Sequence, residues 1–324
     1  MAEAIVLHET GGPQVLRPQS VEVGRLSPCE LRVRQTAVGV NFHDIYVRSG
    51  LYQTLPLPGI PGIEAAGIVE EVGEGVQGFV VGDRIAYVTA RYGAYTSDRL
   101  LPADLAVRLP SGIAEHLAAT VLLKGLTAEM LLRQVHRVQP GDHILVQAAA
   151  GGVGRLLCQW AAHLGATVIG TVGSEEKAEL ARQAGCQHVI LYRQENFVER
   201  VREITDGQGV NVVYDSVGKD TFQGSLESLA TFGHLVNFGQ SSGGVEPFEV
   251  SRLSKGSNRL SRPMVFHYVA HRERLEAMAA ALFDALSQGV LTAEPGKAFP
   301  LAQAAAAHEE LESRRAPGPL LLVP

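Results

Sequence analysis

Cysteine is scarce in this chain, with three in 324 residues, at positions 29, 158 and 186. They make no C-x-x-C pair and no disulfide framework, and three distant thiols fall short of a four-thiolate zinc cluster. Basic residues are outnumbered, 28 against 34 acidic, for a net charge of −6, and aromatics supply only 6%. A nucleic-acid surface needs a basic patch interleaved with aromatics, so this balance argues against one. No apolar run reaches bilayer-spanning length. Met1-Ala-Glu-Ala-Ile-Val lacks the basic start and long apolar core of a secretory leader. These absences lead us to expect a cytoplasmic protein with no nucleic-acid or membrane partner.

What is present is glycine and apolar sequence: 35 glycines and 46% hydrophobic residues. A chain of this length exceeds one ordinary core, so two domains are expected. The most informative stretch is Ala148-Ala-Ala-Gly-Gly-Val-Gly154. Before it, Asp142-His-Ile-Leu-Val-Gln147 reads as a short buried strand opened by Pro140-Gly141. After it, Val153, Leu156, Leu157, Trp160, Ala161 and Leu164 recur at helical spacing until Gly165. Strand, glycine turn and helix in that order make a pyrophosphate cradle, because glycines let the backbone approach phosphates and the helix N-terminus offers unpaired N–H groups. Ala149 takes the first place of a G-x-G-x-x-G pattern, and Gly151 and Gly154 take the others. The same turn also reads as plain strand-to-helix punctuation.

The next strand, Thr167-Val-Ile-Gly-Thr171, does not end in the Asp or Glu that holds the ribose 2′-hydroxyl of NAD. It runs into Val172-Gly-Ser-Glu-Glu-Lys177. Ser174 and Lys177 suit a 2′-phosphate, which favours NADPH over NADH. Equally, Ser174 reads as a helix cap and Lys177 as a solvated cation. Glu175 and Glu176 suit a helix's first turn but would repel a phosphate they pointed at.

The chain reads in three parts. Residues 1 to about 120 show short strands and tight turns, such as Glu30–Arg34, Ala66–Val69 and Asp83–Val88, spaced by Gly73, Gly75, Gly78 and Gly82. That texture predicts a curled β-rich domain. From about 123, strands at 143–148, 167–171, 188–191, 210–215 and 234–238 alternate with helices, as in a doubly wound parallel sheet. The fold class is therefore α/β. After about 260 come helices at 273–288 and 302–313 and a terminal apolar strand, Leu320–Val323, expected to return to the first domain's sheet.

Several ordered segments carry a family resemblance: Asn41-Phe-His-Asp44, Arg48-Ser-Gly-Leu-Tyr52, Pro61-Gly-Ile-Glu-Ala-Ala-Gly67, Leu123-Lys-Gly-Leu-Thr127, Ala148 to Gln159, Gly170-Thr-Val-Gly173 with Lys177, Tyr214-Asp-Ser-Val-Gly218 and Phe238-Gly-Gln-Ser-Ser-Gly243. The sequence resembles the zinc-independent medium-chain dehydrogenase/reductases of the quinone oxidoreductase (zeta-crystallin-like) type. The resemblance implies a GroES-like catalytic domain from residues 1–122 and 262–324, and a Rossmann NADPH-binding domain from 123–261. It further implies a cleft between them for substrate, and a homodimer that pairs through an edge strand of the cofactor domain. Gly233–Gly239 and the apolar chain before Pro263 are the strands expected near that edge.

Zinc-dependent relatives carry a Gly-His-Glu segment; here it is Gly62-Ile63-Glu64, with no ligating side chain in the middle. His43 and Asp44 read as a hydrogen-bonded structural pair, and no metal is expected. Without a Lewis acid, the protein must position its acceptor and donate to the developing negative oxygen. By resemblance, Asn41, Tyr46 and Tyr52 are the candidate donors. A loop of Phe42, His43, Asp44, Ile45 and Tyr46 would approach the nicotinamide. Lys124 and Thr127 would begin a helix and either hold the nicotinamide ribose or simply cap and solvate that helix.

Met130 stands where a close relative has an aromatic hydroxyl, and is carried as a cofactor position. The pyrophosphate falls to Gly151, Gly152, Val153 and Gly154. The adenosine ribose and its phosphate fall to Gly173, Ser174, Lys177 and Tyr192. Ser216 and the run Phe238, Gly239, Gln240 and Ser241 close two later strands. Pro263, Met264 and Val265 would lie beside the nicotinamide, and Arg314 would add charge near the phosphates, although prolines follow it. The activity implied is hydride transfer from NADPH to a benzo- or naphthoquinone. Reduction of an enal or enone C=C bond is the nearest alternative, and it needs a proton relay that the sequence does not reveal. Some relatives are crystallins or RNA-binding proteins, a role the acidic balance disfavours.

Overall fold

The computed structural model describes residues 1–313 and 318–324. Arg314 lies outside the described residues. The chain forms two units: Met1–Leu123 with Phe266–Asp284 and Ala293–Pro324, and Lys124–Val265 with Ala285–Thr292.

In chain order the elements begin with β1 (Ala2–Val6), β2 (Arg17–Val21), β3 (Glu30–Val40), α1 (Phe42–Arg48), β4 (Glu64–Val72) and β5 (Arg84–Val88). They continue with β6 (Asp98–Pro102), β7 (Ala106–Arg108) and α2 (Glu115–Glu129). The second unit runs β8 (His143–Val146), α3 (Gly152–His163), β9 (Thr167–Val172), α4 (Glu175–Gln183), β10 (His188–Leu191) and α5 (Phe197–Ile204). It goes on through β11 (Val210–Asp215), α6 (Phe222–Glu227), β12 (Leu229–Asn237) and β13 (Arg259–Ser261). Then follow α7 (Val265–Tyr268), α8 (Arg272–Ser287), β14 (Lys297–Pro300), α9 (Ala304–Glu312) and β15 (Leu320–Val323).

Along β3 the charged Arg32 and Arg34 alternate with Leu31 and Val33, which are fully buried, as a period-two strand with one core face requires. Its sheet runs β14-β15-β3-β4-β5-β7, with β6 also paired to β3. The terminal apolar strand does return here: Leu320 lies opposite Val40 and Leu322 opposite Val38, antiparallel. Ile5, Leu31, Val33, Ile85, Tyr87, Tyr95 and Leu322 fill the core beneath.

The second unit's sheet is parallel throughout, in the order β10-β9-β8-β11-β12-β13. Numbered within the unit this is 3-2-1-4-5-6, the doubly wound order, whose direction reverses between β8 and β11. The apolar strands expected of a sheet covered on both faces are present: Ile144, Leu145, Val146, Val168 and Ile169 are all fully buried. Among the described residues, no helix is long and apolar enough to cross a membrane.

Two local expectations change. Residues 42–46 are not a loop but most of helix α1, because Asn41 sits in extended N-cap geometry and Asp44, three residues on, accepts its N–H at 2.8 Å. Lys124 and Thr127 do not begin a helix; α2 begins at Glu115, so both fall in its later turns. Beyond it, Met130–Val135 continues as a π-helical turn, and Met130 is 1% exposed.

Candidate active site

Helix α1 gathers the polar and aromatic side chains of the first unit. His43 is ringed by Tyr52 (ring centroids 5.4 Å, edge-on), Tyr92 (5.9 Å, stacked) and Phe266 (5.4 Å, edge-on). Burial lowers its pKa to about 4, so the ring is neutral at physiological pH. His43 Nε2 lies 3.0 Å from the Tyr92 hydroxyl, which lies 2.5 Å from Thr54 Oγ1. Tyr46 and Tyr52 pack edge to face at 5.1 Å, and the Tyr52 N–H donates to the Tyr46 carbonyl at 2.9 Å. Of the three candidate donors, Asn41 is the most enclosed, at 6% exposed. Its Nδ2 donates to Glu64 Oε2 at 2.9 Å.

Glu64 is fully buried, and its other oxygen accepts the Leu123 N–H at 2.7 Å. Gly39 leaves room for this carboxylate, since a methyl there would come 2.4 Å from Glu64 Oε2. Asp44 also accepts from the Tyr95 hydroxyl at 3.2 Å. His43 and Asp44 thus point to different partners, rather than forming the pair expected between them.

In the second unit the turn after β8 stands at the point where strand order reverses. Ala148 adopts φ +56°, the left-handed region, and its carbonyl accepts the Gly151 N–H at 2.9 Å. Gly151 offers α3 no capping side chain, so the first-turn N–H groups lack a side-chain acceptor of their own at the cap. Gly154 is the tight contact: a methyl there would come 2.3 Å from the Ala148 carbonyl oxygen and 2.9 Å from that of Ala149. Ala149, in the first glycine's place, is accommodated by Gly170 on β9, where a methyl would come 2.6 Å from the Ala149 Cβ. Lys124 lies across the start of α3, its Cδ and Cε 3.0 Å from where a Gly152 methyl would sit. The turn is thus a backbone cradle that a side chain would fill, the form a pyrophosphate requires.

The corner beyond β9 forms around Gly173. A methyl there would come 2.6 Å from the Tyr192 hydroxyl and 3.5 Å from Arg193 Nε. Ser174 caps α4, accepting the Lys177 N–H at 3.4 Å. Glu175 and Glu176 occupy the exposed first turn, and Lys177 follows half-buried.

Ser216 follows β11 and Phe238 follows β12; a methyl on Gly239 would come 2.5 Å from the Ser216 carbonyl oxygen, so the two loops touch. Beneath them runs a directed hydrogen-bond chain: Thr171 to Gln147 (2.6 Å), Gln147 to Ser225 (3.1 Å) and Ser225 to Asp215 (2.9 Å). Asp215 also accepts the N–H groups of Val217 and Gly218, fixing the Ser216 loop. Arg262 donates to the Asn237 side chain and the Gly239 carbonyl, both at 2.7 Å, which anchors the chain just before Pro263, Met264 and Val265.

Comparison with known proteins gives two family matches. Residues 27–121 match the alcohol dehydrogenase GroES-like domain and residues 152–284 the zinc-binding dehydrogenase family. The chain is 48% identical to the quinone oxidoreductase of Pseudomonas aeruginosa, covering 100% of both chains. The chain belongs to the quinone oxidoreductase family. It is also 46% identical to the 2-haloacrylate reductase of a Burkholderia species, covering 100% of this chain and 99% of that one. The crystal structure of Escherichia coli quinone oxidoreductase complexed with NADPH superposes with a TM-score of 0.97 at 44% identity, covering all of both chains.

Membership in the quinone oxidoreductase family, reached partly through a zinc-binding dehydrogenase match, raises the question of a metal. The donor set does not suit zinc. Ile63 is a fully buried core residue, and the Asn41 amide and the Glu64 carboxylate are hydrogen-bonded to each other. Cys29 is exposed, and Cys158 and Cys186 are buried in the second unit, 3.3 Å apart. Among the described residues, no three His, Cys, Asp or Glu side chains converge as a metal site would need.

The sequence reading missed Glu64, Tyr92, Tyr95 and Arg193 as site residues. Only Arg193, adjacent to Tyr192, carried a local signal: a cation beside a residue already assigned to a phosphate.

Proposed function

We propose that this protein reduces quinones with NADPH, without a metal. The observation that carries the reading is the corner around Gly173. The Tyr192 hydroxyl and the Arg193 guanidinium both approach Gly173, and Ser174 and Lys177 follow it into the capping turn of α4. That is a donor set a 2′-phosphate would take, with Ser174, Lys177, Tyr192 and Arg193 as its donors. Gly151, Gly152, Val153 and Gly154 would hold the pyrophosphate, and the Ser216 and Phe238–Ser241 loops the ribose and nicotinamide. Bound NADPH supplies the hydride. The protein's own part is to hold the acceptor and donate to the oxygen that becomes negative.

Tyr52, Tyr46 and Asn41 are the donors proposed for that oxygen. Glu64 orients Asn41, whereas the Tyr52 ring is braced by His43 and Tyr46 through ring contacts that phenylalanine would keep. Tyr52→Phe should therefore lower kcat about tenfold or more, the loss of one hydrogen bond to a charged group, while NADPH affinity holds. An unchanged kcat with a raised KM would make Tyr52 a packing wall.

A second reading, reduction of an activated C=C bond, is favoured by one structural feature as well as by the haloacrylate reductase relative. Thr54, Tyr92 and His43 form a hydrogen-bonded series from an exposed hydroxyl to a neutral imidazole, which is the proton relay such chemistry requires.

Two assignments complete the proposal. Free cysteines fit a reducing compartment, the cytoplasm. A homodimer would pair through β13, the edge strand of the second unit's sheet, where Leu260 is 36% exposed; Gly233–Gly239 falls in and just after β12, one strand further in. Light scattering should give twice the chain mass, and a concentration-independent 34.6 kDa would rule the dimer out.

A further inference from the structure

A chain of polar groups, buried at Arg48, His308, Tyr95 and Asp44 and reaching the surface at Glu312, joins α9 to both ends of α1, entirely within the first unit. At the C-terminal end of α1, Arg48 donates to both carboxylate oxygens of Glu312, at 2.8 and 2.9 Å, and to the Gly11 carbonyl at 3.1 Å. The same guanidinium lies 3.4 Å from His308 Nδ1. His308 is fully buried, and its Nε2 lies 2.8 Å from the Tyr95 hydroxyl. That hydroxyl reaches Asp44 Oδ2 at 3.2 Å, the oxygen that accepts the Asn41 N–H.

The direction of every bond follows from the first. A guanidinium has donors only, so His308 Nδ1 must be the acceptor. A neutral imidazole then carries its proton on Nε2 and donates it to the Tyr95 oxygen, leaving the Tyr95 proton for the Asp44 carboxylate. Reversing the Tyr95 bond would put an Nδ1–H against the guanidinium, donor facing donor. Burial, and then the Arg48 charge, lower the His308 pKa to about 3, which keeps the ring neutral.

A helix of seven residues does not hold its own geometry in water. Here the N-terminal turn is fixed through Asp44 and the last turn through Arg48. We infer that His308 and Tyr95 are positioning residues for the acceptor site: through Asp44 they set the N-terminal turn of α1, and with it Asn41, His43 and Tyr46. The inference rests on the reading of α1 as the acceptor-binding element.

The test combines three variants with one measurement on the unaltered protein. Tyr95→Phe removes only the hydroxyl. His308→Leu removes both hydrogen bonds, and His308→Gln restores one acceptor and one donor. Tyr95→Phe and His308→Leu should lower kcat by about tenfold, with NADPH affinity retained, and His308→Gln should recover most of the loss. If His308→Leu fails to fold, Tyr95→Phe decides the kinetic arm. Nitrogen-15 NMR of wild-type protein should show His308 protonated on Nε2 alone. A Tyr95→Phe enzyme as fast as wild type, or a proton on Nδ1, would overturn the inference. The tautomer is read without turnover, so a wild type inert toward quinones would sink the quinone reading while NMR still decides the direction of the Arg48–His308–Tyr95–Asp44 hydrogen bonds.

Discussion

Lys177→Ala is expected to weaken NADPH binding by about 1.5–3 kcal/mol, roughly 10- to 150-fold in Kd, the range for hydrogen bonds to charged groups. NADH binding should hardly change. The asymmetry is the point, because Lys177 follows Ser174 into the first turn of α4, at the corner that Tyr192 and Arg193 also approach, and only NADPH carries a phosphate for that corner. Glu175 and Glu176 do not cancel the effect. Both are exposed on the first turn, where they complement the helix dipole. Titration of each nucleotide by fluorescence quenching measures both affinities. Equal losses for NADPH and NADH would remove Lys177 from the phosphate site.

Gly154→Ala should damage the cradle itself. Its methyl would come 2.3 Å from a backbone oxygen in the turn, and neither atom is the end of a flexible side chain. Relief requires α3 to move away from the Ala148 turn, a strain of about 1–3 kcal/mol, and displaces the N–H groups offered to the pyrophosphate. Affinity for NADPH and NADH should fall together, by roughly tenfold or more, with a lower melting temperature. Wild-type affinity in Gly154→Ala would show that the turn does not carry the nucleotide.

Legibility in the sequence followed the range of the interactions. The β8–turn–α3 unit was readable because its strand is a buried apolar run and its glycines are contiguous. The doubly wound, parallel character of the sheet followed from the alternation of strands and helices. Helix α1 was not readable by periodicity, since seven residues span barely two turns; the local signal was the Asn41 and Asp44 pair, a capping box three residues apart. The long-range partners left no local trace at all. Glu64 reaches Asn41 across 23 positions, Tyr95 reaches Asp44 across 51, and His308 reaches Tyr95 across 213. Such groups meet only because β4, the 92–95 segment and α9 fold against α1. The start of α2 was missed for a different reason: the mostly apolar Ala118–Leu123 stretch was not read as helix, so the helix was begun at Lys124 rather than at Glu115.

The most direct test of the account is steady-state oxidation of NADPH with 1,4-benzoquinone or 1,4-naphthoquinone as acceptor, set beside a 2-haloacrylate and beside NADH. Quinone-dependent oxidation that saturates in both substrates is expected, with NADPH strongly preferred over NADH and the quinones over the haloacrylate. Oxidation that proceeds with the haloacrylate but not with either quinone would contradict it, and would make the Thr54–Tyr92–His43 series the centre of the chemistry instead.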